Sequence, residues 1–188
     1  MIRRVLVTAL NCLLLTVGLS MAPAEAAMPS KSQWLADVNT AMYGSQAYVD
    51  HRVAQAQGQG AKLAINFDID NTTLATHYAY GAPVRRVLRF ANHAKAEGVT
   101  LLWNTGRLTG NGRMFRAKRQ LQRAGYAVTE VCGRRSGESL THSKQRCRQH
   151  YVDEGYTLIA NVGNRRTDFT GGNYERAFRL PNYGNQLG

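Results

Sequence analysis

The spacing of apolar residues changes along this chain, and the changes divide it into elements. Between Ser30 and Gln57 the apolar positions recur three and four apart, at Trp34, Val38, Ala41 and Met42, then at Ala47, Tyr48, Val53 and Ala54. That spacing predicts two amphipathic helices, broken near Gly44. Gln57-Gly58-Gln59-Gly60 reads as a linker. Beyond it, apolar runs alternate with helical patterns. Strands are predicted over 61–67, 99–103, 127–131 and 156–162, helices over 84–97, 113–124 and 143–154, and 175–180 reads as a further edge strand. Apolar strands separated by helices of this length imply βαβ units. The expected fold is therefore α/β, a Rossmann-like parallel sheet with helices on both faces.

The start of the chain follows another pattern. A basic Met1-Ile2-Arg3-Arg4 precedes a mostly apolar stretch from Val5 to Leu19, and Ala24-Glu25-Ala26 has the small-x-small form of a cleavage site. Residues 1–26 read as a signal peptide cleaved near Ala26/Ala27, which places the mature chain in a secreted or periplasmic location. The rival reading is a retained anchor, for which the apolar run is short against the roughly 20 residues of a bilayer span. The expected organisation is a signal peptide over 1–26, an N-terminal helical segment and linker over 27–60, and a core over 61–188.

Charge narrows the class of partner. The 188 residues carry 24 Lys and Arg against 12 Asp and Glu, a net charge of +12. Such an excess concentrates anionic substrates around the protein, and it also serves solubility or attachment to acidic surfaces. No stripe of aromatics alternates with the basic residues, so no specific nucleic-acid binding is expected. Cys132 and Cys147 remain after the predicted cleavage. In an exported protein such a pair is expected to form a disulfide, and neither cysteine has a Cys or His at metal-ligand spacing on a shared turn.

The candidate chemistry collects at strand ends. Leu63 to Phe67 runs directly into Asp68-Ile69-Asp70-Asn71-Thr72. Carboxylates on alternate residues of an extended chain project the same way, repel each other and call for a cation nearby. The second predicted strand ends at Asn104-Thr105-Gly106-Arg107, Lys144 opens the third helix of the alternating region, and the fourth strand ends at Gly163-Asn164 and leads to Asp168. In a parallel sheet these segments meet on one rim, where such folds bind ligands. Each residue alone has a plainer reading: Thr105 as a helix cap, Lys144 as part of a solvated face with His142, Arg146 and Arg148, the aspartates as a calcium site. Their convergence is the stronger signal.

In this order the residues resemble the haloacid dehalogenase-like (HAD) phosphohydrolases, and more narrowly their secreted acid phosphatases (subfamily IIIB, class B-like). Asp68, Asp70 and Thr72 match the first motif, Asp-x-Asp-x-Thr, Thr105 the second, Lys144 the third, and Gly163-Asn164-Arg165-Arg166-Thr167-Asp168 the fourth, Gly-Asp-x-x-x-Asp. The resemblance implies an exported phosphomonoesterase that works through an aspartyl-phosphate. Asp68 would be nucleophile and Asp70 acid and base, with Thr105 and Lys144 stabilising the phosphoryl group. Thr72, Gly106 and Arg107 would contact substrate. One Mg²⁺ ion would be held by Asp68, Asp70 (through its carbonyl), Asn164 and Asp168. Asn164 stands where the family usually has Asp, so one expected charge is missing. The alternative is a catalytically weak relative that binds anionic polymers or surfaces. Neither interval between motifs has room for a folded cap. The expected site is open, shaded by the N-terminal helices and the loop His77 to Pro83, and suited to small phosphomonoesters, nucleotides and phosphopeptides among them.

Overall fold

Strand β1 (Lys62–Phe67) lies at the centre of the fold in a computed structural model that describes residues 27–187. The predicted signal peptide over 1–26 falls outside the described residues. With β2 (Thr100–Leu108), β3 (Glu130–Arg134), β4 (Tyr156–Gly163) and β5 (Arg176–Arg179), β1 forms a five-stranded sheet in the order β3-β2-β1-β4-β5. All four pairings are parallel. The helices are α1 (Lys31–Ala41), α2 (Ser45–Ala56), α3 (Arg85–Ala96), α4 (Arg113–Arg123), α5 (Leu140–Asp153) and the short α6 (Arg166–Phe169).

Strand side chains alternate, and each face of the sheet acquires its own apolar cluster. Leu63, Ile65 and Phe67 point into the larger cluster, which includes Leu101 and Trp103 of β2 and buried residues of α1 to α4. Phe67 stacks on Trp103 at 5.3 Å between ring centroids and meets Phe90 of α3 edge-on at 6.1 Å. Each such fully buried side chain contributes on the order of 1.5–3 kcal/mol. Ala64 turns the other way, joining Leu102, Leu158, Cys132, Cys147 and Tyr151 beneath α5. Helices thus cover both faces, as the buried strands require. Trp34, Val38, Met42 and Val49 belong to the larger cluster, so the 27–60 segment shares its core with the sheet. Among the described residues no helix is long and apolar enough to cross a membrane.

Three elements differ from expectation. β3 occupies 130–134 rather than 127–131, because Tyr126 turns inward to pack on Trp103 and donates its hydroxyl to the Thr73 carbonyl, and the chain pairs only from Glu130. β2 extends to Leu108 because pairing with β3 continues past Thr105. α5 starts at Leu140, where Ser139 caps it by accepting the His142 N–H. α6 carries no predicted pattern and is held by Asp168, whose carboxylate accepts the Arg165 N–H.

Cys132 and Cys147 form a disulfide that ties β3 to α5 across a separation of 15 residues. A loop of that length is worth about 3 kcal/mol in the chain-entropy account. Reduction should lower the melting temperature by about 6–12 °C for a domain of this size. Melts with and without a phosphine reductant measure this, and coincident curves would refute it.

The same approach to α5 contains an acid-sensitive contact. Glu138 accepts from Arg146 Nε at 2.6 Å and Nη2 at 3.0 Å, and from the Arg135 N–H at 2.7 Å. The Arg146 hydrogen bonds, then the Arg135 N–H, hold its carboxyl at about 2, below the ordinary 4.5. A depressed folded pKa means that the stabilisation is complete above about 4.5 and fades as pH falls toward about 2. Glu138→Gln should therefore melt below the parent at pH 6, and the gap should close on acidification. A gap that does not change with pH would rule the contact out as its cause.

Candidate active site

Asp68 continues the alternation of Ala64 and Asn66, and so emerges on the α5 side of the sheet. Its N–H still pairs with the Val162 carbonyl at 2.9 Å. The chain then turns sharply through Asn71, at φ 55°, a left-handed conformation that Asn tolerates. The turn returns Thr72, whose hydroxyl donates to Asp68 Oδ2 at 2.9 Å. Lys144 Nζ donates to Asp68 Oδ1 and lies 2.8 Å from Asp168 Oδ1. It also reaches the Asn104 carbonyl at 3.1 Å and its side-chain oxygen at 3.2 Å.

Lys144 is 2 % exposed, which removes the reading of a solvated lysine face. Burial would lower its pKa, but the Asp168 and Asp68 carboxylates outweigh that and raise it, so the ammonium keeps its proton. Burial pushes the Asp68 carboxyl up, Lys144 opposes it, and Asp168 and Asp70 add to the rise. Asp168 is fixed at the start of α6, where Oδ2 accepts the Asn164 and Arg165 N–H groups at 3.1 and 2.9 Å. A Cβ at Gly163 would lie 2.5 Å from that oxygen, so the close approach requires glycine.

Asp70 faces the opening. Arg107 grips it in two bonds, Nε to Oδ2 at 2.9 Å and Nη2 to Oδ1 at 2.6 Å, and the Thr76 hydroxyl adds a third at 2.8 Å. Burial would raise the Asp70 carboxyl, but Arg107 more than reverses that and lowers it. Around Asp68, Asp70 and Lys144, a cavity of about 350 Å³ is completed by Gly106, Arg107, Arg134, Leu140 and Arg165. A nucleophilic carboxylate, a second carboxylate at the mouth and cationic walls suit a phosphoryl group.

Residues 78–186, more than half of the chain, match the family described as HAD superfamily, subfamily IIIB (acid phosphatase). The chain belongs to this family. No curated protein compared with it matches. The protein is accordingly a phosphatase, a hydrolase of phosphomonoesters. The match begins after Asp68 and Asp70, so the first motif rests on its own residues and their geometry and not on the family match.

Within this acid phosphatase, two residues expected to handle phosphate face elsewhere. Thr72 is fully buried and holds Asp68 instead of lining the cavity. Thr105 is also buried, and its hydroxyl accepts the Arg107 N–H at 3.2 Å, which shapes the turn bearing Gly106 and Arg107. The N-terminal helices supply no lining residue, contrary to the expected shading, because they pack beneath the sheet.

The donor set fits a hard cation, most distinctively at Asn164. Asn164 Nδ2 donates to the Leu187 carbonyl at 3.1 Å, as Asn71 Nδ2 does at 3.0 Å, and this leaves Asn164 Oδ1 buried without a hydrogen-bond partner. An orphaned buried acceptor costs about 1–3 kcal/mol, which a bound cation would offset. Asp168 Oδ2 is taken by two backbone N–H groups, while its Oδ1, 2.8 Å from Lys144 Nζ as an ion pair, is a second buried acceptor without a hydrogen bond. Two further groups, Asp50 with His93 and Glu97 and Glu130 with His150 and Glu154, bring ligand-type atoms within 4.8 Å outside the catalytic cavity.

Several supporting residues escaped the sequence reading. Asn66 donates to Asn161 Oδ1 at 2.5 Å, and Asn161 donates to the Asp168 carbonyl at 2.9 Å. The two, paired in register across β1 and β4, form a buried amide pair beneath the site, while Asn104 meets Lys144. Their signal was an amide inside an otherwise apolar strand. Arg148, fully buried, donates to the carbonyls of Asp168, Thr170 and Gly172 and fixes the α6 loop. Arg134 was hidden by the shifted β3, whose carboxyl end it occupies.

Proposed function

We propose that the mature protein is an exported, Mg²⁺-dependent acid phosphatase that hydrolyses phosphomonoesters through an aspartyl-phosphate on Asp68. The observation that carries this reading is the buried Asp68 carboxylate, held by Thr72 and Lys144 at the floor of a cationic cavity with Asp70 at its mouth. The 1–26 pattern and the Cys132–Cys147 bridge support export.

An Asp68 oxygen attacks phosphorus while the bond to the ester oxygen breaks, and Asp70 protonates that leaving oxygen. Asp70, now a carboxylate, takes a proton from water, which attacks the phospho-aspartate and releases phosphate and free Asp68. Gly106, Arg107 and Arg134 meet the non-bridging oxygens, and Lys144 offsets the charge that develops. An incoming phosphate competes with Asp70 for Arg107, which frees Asp70 to take a proton from solvent before it acts as the acid. Asp68, Asn164 Oδ1 and the Asp70 carbonyl would hold the Mg²⁺, with Asp168 behind them. The ion supplies charge neutralisation that lets an anionic nucleophile approach a phosphate.

The test is release of a chromogenic alcohol from its phosphate ester by purified residues 27–188, with Mg²⁺, without it and with chelator. Turnover restored by Mg²⁺ supports the reading. Turnover that ignores Mg²⁺ and chelator alike overturns the metal requirement, and absence of any turnover overturns the reading in favour of a basic binding protein.

A further inference from the structure

The stretch between Glu97 and Glu130 contains no acidic residue, yet carries Arg107, Arg113, Arg116, Lys118, Arg119 and Arg123. A merely solvated helix face mixes signs, because like charges three and four apart destabilise a helix. α4 makes no such compensation. Its Arg113, Arg116 and Arg123 are exposed, and no ion pair among the described residues includes any of them.

These arginines converge on a cavity. With Tyr80, Arg107, Leu108 and Gln120 they line a groove of about 560 Å³. Arg107 lines this groove and the catalytic cavity alike, so the two lie side by side across one side chain. Its Nη1 donates to Gln120 Oε1 at 2.8 Å, which fastens α4 to the catalytic loop. Tyr80 is 81 % exposed and lies at the groove beside Arg107.

We propose that this groove binds a single-stranded oligonucleotide whose terminal phosphate enters the catalytic cavity. Arg113, Arg116 and Arg123 take internal phosphates, and Tyr80 stacks on the base next to the scissile group. Cations placed along a helix from one end of the groove to the other suit a ligand that repeats its charge at every link. Guanidinium forks match phosphate oxygens, and an exposed aromatic face supplies the stacking that single strands use without regard to sequence. An acidic phosphopeptide would use the cations but has no base for Tyr80. The proposal rests on the Asp68 site as the place of hydrolysis. There the terminal P–O bond breaks, and water supplies hydroxyl to the phosphate and a proton to the oligonucleotide oxygen.

Binding is measured by anisotropy of a 3′-labelled, 5′-phosphorylated tetranucleotide on Asp68→Asn protein, so that it does not depend on turnover. The parent's kcat/KM is compared for the unlabelled tetranucleotide and the corresponding mononucleotide. Arg113→Ala/Arg116→Ala/Arg123→Ala should weaken binding about tenfold or more and reduce the salt slope by about 2. Tyr80→Ala, an exposed change, should weaken it about tenfold. Both should lower the ratio of tetranucleotide to mononucleotide kcat/KM. The charge-matched control Arg85→Ala/Arg89→Ala/Lys95→Ala, on the exposed side of α3, should change neither binding nor ratio. Equal losses in both triple variants would sink the groove in favour of net charge. So would a phosphopeptide of equal charge that binds as tightly and ignores Tyr80→Ala. Groove-dependent binding without turnover of either substrate would instead overturn the phosphatase mechanism, while mononucleotide turnover without groove-dependent binding would overturn the groove alone.

Discussion

Asp68→Asn should lower turnover of a phosphate ester by about 10⁴-fold or more while the protein stays folded, the scale seen when a covalent nucleophile is removed. The substitution is isosteric. The amide retains an oxygen for the Thr72 hydroxyl, and Lys144 keeps Asp168 as its counter-charge at 2.8 Å. What is lost is the anionic oxygen at the cavity floor. No neighbouring group substitutes for it, because Asp70 stands at the mouth of the cavity and not at its floor, and Asp168 is held by α6. The check is kcat beside a thermal melt. Activity surviving within tenfold would mean that Asp68 is not the nucleophile, whereas loss of the folded transition would mean that the residue is chiefly structural.

Lys144→Met should show the opposite balance, with stability falling alongside activity. The ammonium is buried between Asp68 and Asp168, and removing one partner of a buried ionic cluster leaves uncompensated charge that costs about 3–5 kcal/mol. For a domain of this size that corresponds to roughly 6–20 °C in melting temperature. The Asn104 carbonyl and side-chain oxygen lose a donor as well. Adding Asp68→Asn to Lys144→Met should recover part of the stability, since it removes one of the stranded carboxylates, and no activity should return. A double variant no more stable than Lys144→Met would show that the penalty comes from lost packing and not from charge.

The two variants separate roles that one cluster of side chains combines. Asp68 carries the chemistry. Lys144 holds the cluster together, with α5 supplying the charge that lets two carboxylates share a buried site. The disulfide and the Glu138–Arg146 contact both fasten α5 within one turn of Lys144. Reduction is therefore expected to loosen the position of Lys144 before it unfolds the sheet.

The legibility of the fold and of the site follows physical range. The helices 31–41, 45–56, 85–96 and 113–123 lie close to the predicted spans, because amphipathic spacing and a breaker such as Gly44 act within a few residues. The strand ends bearing Asp68 and Asn164 were also legible, since a buried parallel strand is a continuous apolar run that stops where polar residues begin. β3 was misplaced because Ala127 and Val128 pack against the core from a loop, and apolar character alone does not distinguish a packed loop from a strand. Lys144 and Asp168 could be named in order along the chain, but their ion pair joins two elements that share no local pattern.

The sequence by itself determined the alternation of strands and helices, the rim on which the polar residues gather, the cysteine pair and the charge excess. These rest on periodicity, composition and the one-way geometry of a parallel sheet. Only the tertiary structure decided which oxygen faces which cation. It turned Thr72 inward onto Asp68, clasped Asp70 with Arg107, left Asn164 Oδ1 open by giving its amide to Leu187, and brought Tyr80 beside the arginines of α4. Those choices depend on side chains far apart in the chain that meet under a common packing constraint, where burial makes every unpaired charge costly and each partner is fixed by what remains within reach.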